Sequence, residues 1–201
     1  IIMTTLFWII AAYLLGSVSF AIVLSKVFGM DDPRSYGSNN PGATNMLRSG
    51  RKMVALLTLL GDALKGFLPV MLAKQFTDLP VAALCAVALA AFLGHLYPIF
   101  FGFKGGKGVA TFLGAILGLF PAVGGITMLV WFVVALLTRY SSASSLTASV
   151  MTFIVLIYNW GAGTWMVWMT IMVGLLFWRH RGNIRQLADG TESKFFSKKA
   201  P

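Results

Sequence analysis

The chain is a succession of apolar stretches, at roughly 3–25, 53–73, 80–101, 109–120, 122–138, 146–159 and 163–178, joined by connections that carry nearly all its charge. A backbone passing through hydrocarbon must satisfy its own N–H and C=O groups, so stretches of this kind are confined to helices. The first three are long enough, as helices, to cross a hydrocarbon core of about 30 Å. The interval 109–138 is almost wholly apolar, but Pro121, Gly124 and Gly125 punctuate it, and the proline favours two helices over one. The first stretch lacks the basic n-region and small-residue cleavage site of a signal peptide, so it too reads as a span. These features predict an all-α, polytopic membrane helical bundle of seven transmembrane helices in a single domain over 1–201, with five or six spans as alternatives. With only 11% charged residues, an ordinary soluble domain, at about a quarter charged, is excluded.

Seven spans place the connections 26–52, 102–108, 139–145 and the tail 179–201 on one side. Of the 16 lysines and arginines, all but Lys65, inside a span, and Lys74, on the other side, fall in these four segments. That asymmetry predicts an outward N-terminus and a cytoplasmic C-terminus. It also accounts for the net charge of +10 without nucleic acid as a partner; the expected partner is membrane lipid. The single cysteine, Cys85, lies in an apolar run and cannot staple the fold.

Polar sequence with motif-like density is confined to those four segments. The first reads Gly37-Ser38-Asn39-Asn40-Pro41-Gly42-Ala43-Thr44-Asn45, with Arg48, Arg51 and Lys52 after it. Asn40-Pro41-Gly42 is a turn signal; Ser38, Asn40, Thr44 and Asn45 offer uncharged hydrogen-bonding groups, and Arg48 a forked cationic donor. Such a stretch is either a solvated turn or one wall of an anion pocket. The second runs from Gly94-His95-Leu96-Tyr97-Pro98 through Phe103-Lys104-Gly105-Gly106-Lys107-Gly108 into Val109-Ala110-Thr111. Glycines around two lysines let the amides of Gly105, Gly106 and Gly108 turn toward one anion beside Lys104 and Lys107, at the start of a helix expected near Gly108. The Walker spacing fails, because Lys107 follows Gly102 by five and Gly108 stands where Ser or Thr is needed. A flexible basic connector is the competing reading.

His95, at a span end, is either a packing residue or a phosphate donor and proton carrier; His180, between Arg179 and Arg181, reads as interfacial. Asp62 and Lys65 lie mid-span at i, i+3, on one face, and should pair inward. The hydroxyl-rich segment 139–145 should supply a serine cap to the next helix, with others such as Ser142 reaching the neighbouring loops. In the tail, Asn183 can hydrogen-bond a pocket, and Glu192 would stay ionised in a cationic one. No metal-ligand cluster and no Ser-His-Asp pattern appears, and no metal or cofactor is expected. The same residues admit a transporter of phosphorylated solutes, with Asp62 and Lys65 as its intramembrane element.

Taken in order, the first-loop motif 37–45, the second-loop motif 94–111 and the tail residues Asn183-Ile184 with Gly190-Thr191-Glu192 closely resemble the bacterial acyl-phosphate:glycerol-3-phosphate acyltransferases. One departure is Asn39, where the family pattern carries glycine. The resemblance implies an integral enzyme of the bacterial cell inner membrane with a cytoplasmic active site, acting in the first acylation step of phospholipid synthesis. It would move a fatty acyl group from acyl phosphate to the 1-hydroxyl of glycerol 3-phosphate, giving lysophosphatidic acid and inorganic phosphate, with no cofactor. The His-x4-Asp pair of the common glycerolipid acyltransferases is absent, since Phe100 and Arg185 stand five residues after the two histidines. On this reading His95, Lys104, Asn183 and Glu192 are candidate catalytic residues. Ser38, Asn40, Thr44, Asn45, Arg48, Lys104, Gly105, Gly106, Lys107, Gly108 and Ser142 are candidate phosphate-binding residues.

Overall fold

The computed structural model describes residues 1–195, so Lys198 and Lys199, counted above among the basic connections, lie outside the described residues. The described residues fold into α1 (Ile2–Gly16), α2 (Phe20–Val27), α3 (Ala43–Arg48), α4 (Lys52–Phe76), α5 (Val81–Leu96), α6 (Val109–Leu119), α7 (Pro121–Thr138), α8 (Ser141–Trp160), α9 (Trp165–Arg179) and α10 (Arg181–Ala188). A short 3-10 turn, Ile99–Phe101, extends α5. Every apolar stretch is helical. As expected from Pro121, the run 109–138 divides there, with the proline at the first position of α7, where its missing N–H costs nothing.

Four helices, Lys52–Phe76, Val81–Phe101, Pro121–Thr138 and Ser141–Trp160, are long and apolar enough to cross a membrane, and the bent pair α1–α2 makes a fifth. α6 and α9 are apolar but shorter. At 1.5 Å per residue, the 11 residues of α6 extend only about 16 Å. It sits among other helices, with Thr111, Phe112, Gly114, Ala115 and Ile116 all buried.

The first stretch is not one straight span. It bends by 43° between α1 and α2, where Ser17 Oγ donates back to the Tyr13 carbonyl at 2.8 Å and the Val18 carbonyl leaves the helical ladder. Lys65 Nζ donates to that carbonyl at 2.7 Å and also pairs with Asp62 Oδ1 at 2.8 Å. Both side chains of this pair are almost fully enclosed, at 1% and 3% exposure. The i, i+3 pair therefore faces inward, and Lys65 supplies the break with the donor that it needs. His95 Nδ1 lies 3.6 Å from the same Asp62 oxygen.

Packing around this cluster is backbone against backbone. A Cβ on Gly66 would fall 2.1 Å from the Thr111 carbonyl oxygen, and one on Gly114 would fall 1.9 Å from that of Ala63, so α4 and α6 touch main chain to main chain. Gly16 meets Ala91 O and Gly94 meets Tyr13 O in the same way, joining α1 to α5. In lipid, where apolar side chains gain little by leaving the solvent, such small-residue contacts are a principal source of helix association.

The four polar connections converge at one end of the bundle. Arg34 Nη1 donates to Phe101 O at 3.1 Å, Thr44 and Ser141 share a hydroxyl hydrogen bond at 3.1 Å, and Phe195 N donates to Arg139 O at 2.8 Å. Two helices arise inside segments that read as irregular, α3 in the first loop and α10 in the tail. The expected serine cap of α8 does not form: Tyr140 is the N-cap residue and makes no side-chain cap bond. Ser144 and Ser145 instead donate back to the carbonyls of Tyr140 and Ser141, each at 2.7 Å, a bond that competes with capping.

Replacing Asp62 by Ala leaves the Lys65 ammonium enclosed with one carbonyl partner. The expected loss is about 3–5 kcal/mol, read as a lowered unfolding midpoint in detergent, and Asp62→Ala/Lys65→Met should recover much of it.

Candidate active site

Lys107 is the cation around which the polar end is arranged. It stands two residues before α6, and its Nζ donates to Asn183 Oδ1. Asn183 lies in the first turn of α10, and its Nδ2 donates to both Glu192 oxygens, at 2.8 and 3.0 Å. Glu192 Oε1 also accepts from Ser142 Oγ, in the first turn of α8, at 3.0 Å. The carboxamide is thus oriented from both ends, by an ammonium at its oxygen and a carboxylate at its nitrogen. Glu192 is only 7% exposed and balances a site otherwise rich in positive charge. Burial pushes the Lys107 ammonium down to about 8; Glu192 opposes that shift, and Arg48 and Arg179 add to it.

The glycines before Lys107 permit close approach. A Cβ on Gly105 would sit 2.0 Å from His95 O, and one on Gly106 would sit 2.2 Å from His95 Nε2. Gly108 takes φ +85° against the Phe92 ring, a conformation and a gap that only glycine fits. Gly106 N donates to His95 O at 3.1 Å, so this amide is committed within the protein. Arg179 Nη2 and Nε donate to the carbonyls of Gly105 and Gly106, at 2.7 and 3.1 Å. The loop is thus clamped by α9 and presents a lysine, where its glycines predicted an anion cradle that includes the Gly106 amide.

The facing wall is the first loop. Asn45 is fully buried and holds the loop in shape: Nδ2 donates to Pro33 O and Tyr36 O at 2.8 and 3.1 Å, and Oδ1 accepts from Ser38 N at 3.0 Å. Gly37 and Asn39 take φ of +61° and +54°. Between this loop and α10 lies a cavity of about 580 Å³, bounded by residues 37–40, Gly105, Lys107, Arg179 and the α10 residues Arg181, Gly182, Asn183, Arg185 and Gln186. Its wall holds a lysine and three arginines and no carboxylate. The volume is within the range of about 300–1,000 Å³ typical of small-molecule sites.

Residues 6–190 match the family model described as glycerol-3-phosphate acyltransferase. The chain belongs to that family. Among its relatives, a glycerol-3-phosphate acyltransferase of Methylobacillus flagellatus is 54% identical, covering 95% of this chain and 97% of the relative. One from Neisseria meningitidis is 50% identical, covering 91% and 93%. The fold matches the crystal structure of PlsY (YgiH), an integral membrane glycerol 3-phosphate acyltransferase, in its glycerol 3-phosphate form. The TM-score is 0.90 at 41% identity, over 95% of both chains. The lysophosphatidic acid form of PlsY matches with a TM-score of 0.87 at 40% identity, over 94% of both chains.

In this glycerol-3-phosphate acyltransferase, Ser38, Asn40, Gly105, Lys107 and Asn183 border the cavity, with Glu192 and Ser142 fixing Asn183 from behind. Thr44 is bonded to Ser141, and Arg48 Nη2 donates to Ser193 Oγ at 2.6 Å; both tie α3 to the far side of the site. Asn45, His95, Gly106 and Gly108 are buried beneath it. Lys104 is exposed and stands outside the cavity wall. The acyltransferase also carries Arg179, Arg181 and Arg185 in that wall, residues whose sequence reads simply as a basic tail. His180 is buried as well. Its Nδ1 is 2.8 Å from Leu176 O, and burial pushes its pKa down to about 4 against that hydrogen bond, with Lys107 and Arg179 adding to the shift. It is therefore neutral at pH 7, its Nδ1 proton given to the carbonyl and Nε2 left as an acceptor.

Lys107 is protonated below about pH 8 in the unliganded protein, and a bound phosphate favours the charged form. Phosphate-ester binding should therefore be strongest below that pH and weaken by up to about tenfold per unit above it. Titration calorimetry with glycerol 3-phosphate across pH 7–9.5 reads this directly; Lys107→Met should bind weakly throughout and lose the slope.

Proposed function

We propose that this chain transfers a fatty acyl group from acyl phosphate to the 1-hydroxyl of glycerol 3-phosphate, giving lysophosphatidic acid and inorganic phosphate, at the cytoplasmic face of a bacterial inner membrane. The observation that carries this reading is the cationic cavity built on Lys107 and Asn183 at the polar end of an apolar bundle. Both substrates bring a phosphate, and their combined negative charge suits a wall of Lys107, Arg179, Arg181 and Arg185. The glycerol 3-phosphate and lysophosphatidic acid forms of the PlsY structures support a substrate and product of this chemistry. The charge asymmetry of the connections supports the orientation, with the N-terminus outside and the polar end in the cytoplasm.

The transfer proceeds directly. The hydroxyl oxygen of glycerol 3-phosphate attacks the acyl carbon, an ester bond forms, and the acyl C–O bond to phosphate breaks. The hydroxyl proton leaves with the phosphate, so the products are the ester and hydrogen phosphate. Acyl phosphate is a mixed anhydride, and its good leaving group removes the need for a protein nucleophile. Lys107 stabilises the charge that develops on the departing phosphate. Asn183, held by Glu192 and Ser142, keeps the ammonium in place, and the enclosing walls supply proximity. Asp62 and Lys65 neutralise each other within the bundle, which favours a structural pair over the ion path of a transporter.

Purified protein in detergent, given palmitoyl phosphate and glycerol 3-phosphate, should release inorganic phosphate and form the acylated ester without a second compartment. Lys107→Ala and Asn183→Ala should each lower kcat/KM by about 10²–10³, with folding checked by the unfolding midpoint. Glu192→Gln should cost less, because the amide still accepts from Asn183. A covalent acyl-protein that forms and decays at the rate of turnover overturns direct transfer.

A further inference from the structure

The Asp62–Lys65 pair does more than the packing of its helices requires. Gly66 and Gly114 already bring α4 and α6 into backbone contact, and Gly16 and Gly94 do the same for α1 and α5. A buried ion pair is weak support for stability, because desolvation offsets much of its attraction. Ionisable groups kept inside a membrane span are rare and mark function by default. The question is what Asp62 reaches besides Lys65.

It reaches both ends of the glycine loop. Before the loop, Asp62 Oδ1 lies 3.6 Å from His95 Nδ1, in the last turn of α5. That nitrogen is buried and makes no hydrogen bond among the described residues. A carboxylate only accepts, so the nitrogen facing it carries a proton. At that distance the carboxylate orients the ring by charge and not by a close hydrogen bond. After the loop, the Asp62 carbonyl accepts from Thr111 Oγ1 at 2.9 Å, in the first turn of α6. Gly66, one turn further along α4, lies against the Thr111 carbonyl. The loop between these anchors follows them closely. Gly106 N donates to His95 O at 3.1 Å, and a Cβ on Gly106 would strike His95 Nε2. A shift of the histidine is therefore passed to the main chain of Gly106, and Lys107 is the next residue.

We propose that Asp62 is a positioning residue for acyl transfer: it holds His95 and Thr111, and through them it sets where the glycine loop places Lys107. This rests on the acyl-transfer reading above. Asp62 does not meet substrate, since its side chain is only 3% exposed and it is absent from the cavity wall. Lys65 balances the carboxylate and ties it to the bend of the first span through the Val18 carbonyl. Removing the carboxylate frees the His95 ring, and Gly106 with it, while the helix contacts at Gly66 and Gly114 remain.

The test compares Asp62→Ala/Lys65→Met with Asp62→Asn/Lys65→Met. Both lack the ion pair and both leave the Val18 carbonyl without its ammonium, so they should unfold alike in detergent. Only the asparagine variant keeps an oxygen to face His95. With palmitoyl phosphate and glycerol 3-phosphate, the alanine variant should lose about 10–10²-fold in kcat/KM, and the asparagine variant should recover most of that loss. A purely structural pair makes activity follow the unfolding midpoint, and equal activity in the two variants overturns the proposal. If neither double variant folds, His95→Asn, whose Nδ2 stands in for Nδ1, should retain about tenfold more activity than His95→Leu; equal losses again overturn it. The affinity for glycerol 3-phosphate, read by titration calorimetry on the same proteins, should fall in the same order, because it depends on Lys107. Wild-type protein that binds glycerol 3-phosphate but turns over no acyl phosphate overturns the acyl-transfer reading alone. The order of the affinities then decides whether Asp62 positions Lys107.

Discussion

The Lys65 ammonium, enclosed to 1% exposure, is the constraint on which the rest of the bundle depends. In hydrocarbon an isolated charge is costly and an isolated backbone carbonyl is not much better tolerated. Lys65 settles both problems at once, taking Asp62 as counter-ion and the Val18 carbonyl as acceptor. The bend between α1 and α2 is therefore a fixed feature of the core and not a loose joint. Because Asp62 also comes within 3.6 Å of His95, the pair reaches the last turn of α5, ahead of the glycine loop. His95 then meets that loop through its carbonyl and its ring. A structural charge pair deep in the bundle and a cationic cavity at its end are thus linked through one residue.

The site itself follows from charge opposed to burial. Lys107 is held where water is scarce, which lowers its affinity for a proton, and Arg48 and Arg179 lower it further. Glu192 limits the effect from a distance, through Asn183, and does not form a direct pair that would compete with substrate. The arrangement leaves positive charge available for an incoming anion while the carboxylate satisfies the orienting amide. Arg179 differs from the other arginines: its guanidinium is bonded to Gly105 and Gly106 carbonyls, so it shapes the loop as well as charging the wall.

The helical bundle and its polar end were legible because hydrocarbon allows so few alternatives: Pro121 divides its run, and charge collects on one side. The division of labour between neighbouring residues was not legible. Lys104 and Lys107 look alike in a glycine loop, and only the direction of the chain after Gly102, with its left-handed φ of +65°, sends one outward and the other into the cavity. Arg181 and Arg185 read as a lipid-facing tail because nothing local announces that α10 folds back over the first loop. Asn39 stands where the family pattern has glycine, and its φ of +54° explains the exchange: asparagine is the residue that best tolerates the left-handed region after glycine. Asn45 offered an amide that suits a ligand equally well, but three backbone partners within its own loop claim it.

The backbone-to-backbone contacts of Gly16, Gly66, Gly94 and Gly114 all join helices within the first 119 residues. The cavity's remaining wall comes from Arg179, Arg181, Asn183 and Arg185, which lie much further along the chain. During synthesis from the N-terminus, the four frame helices can associate in the membrane while the cationic cavity still lacks one wall. The cationic cavity is thus completed last in the chain, on helices whose mutual contacts are already encoded upstream.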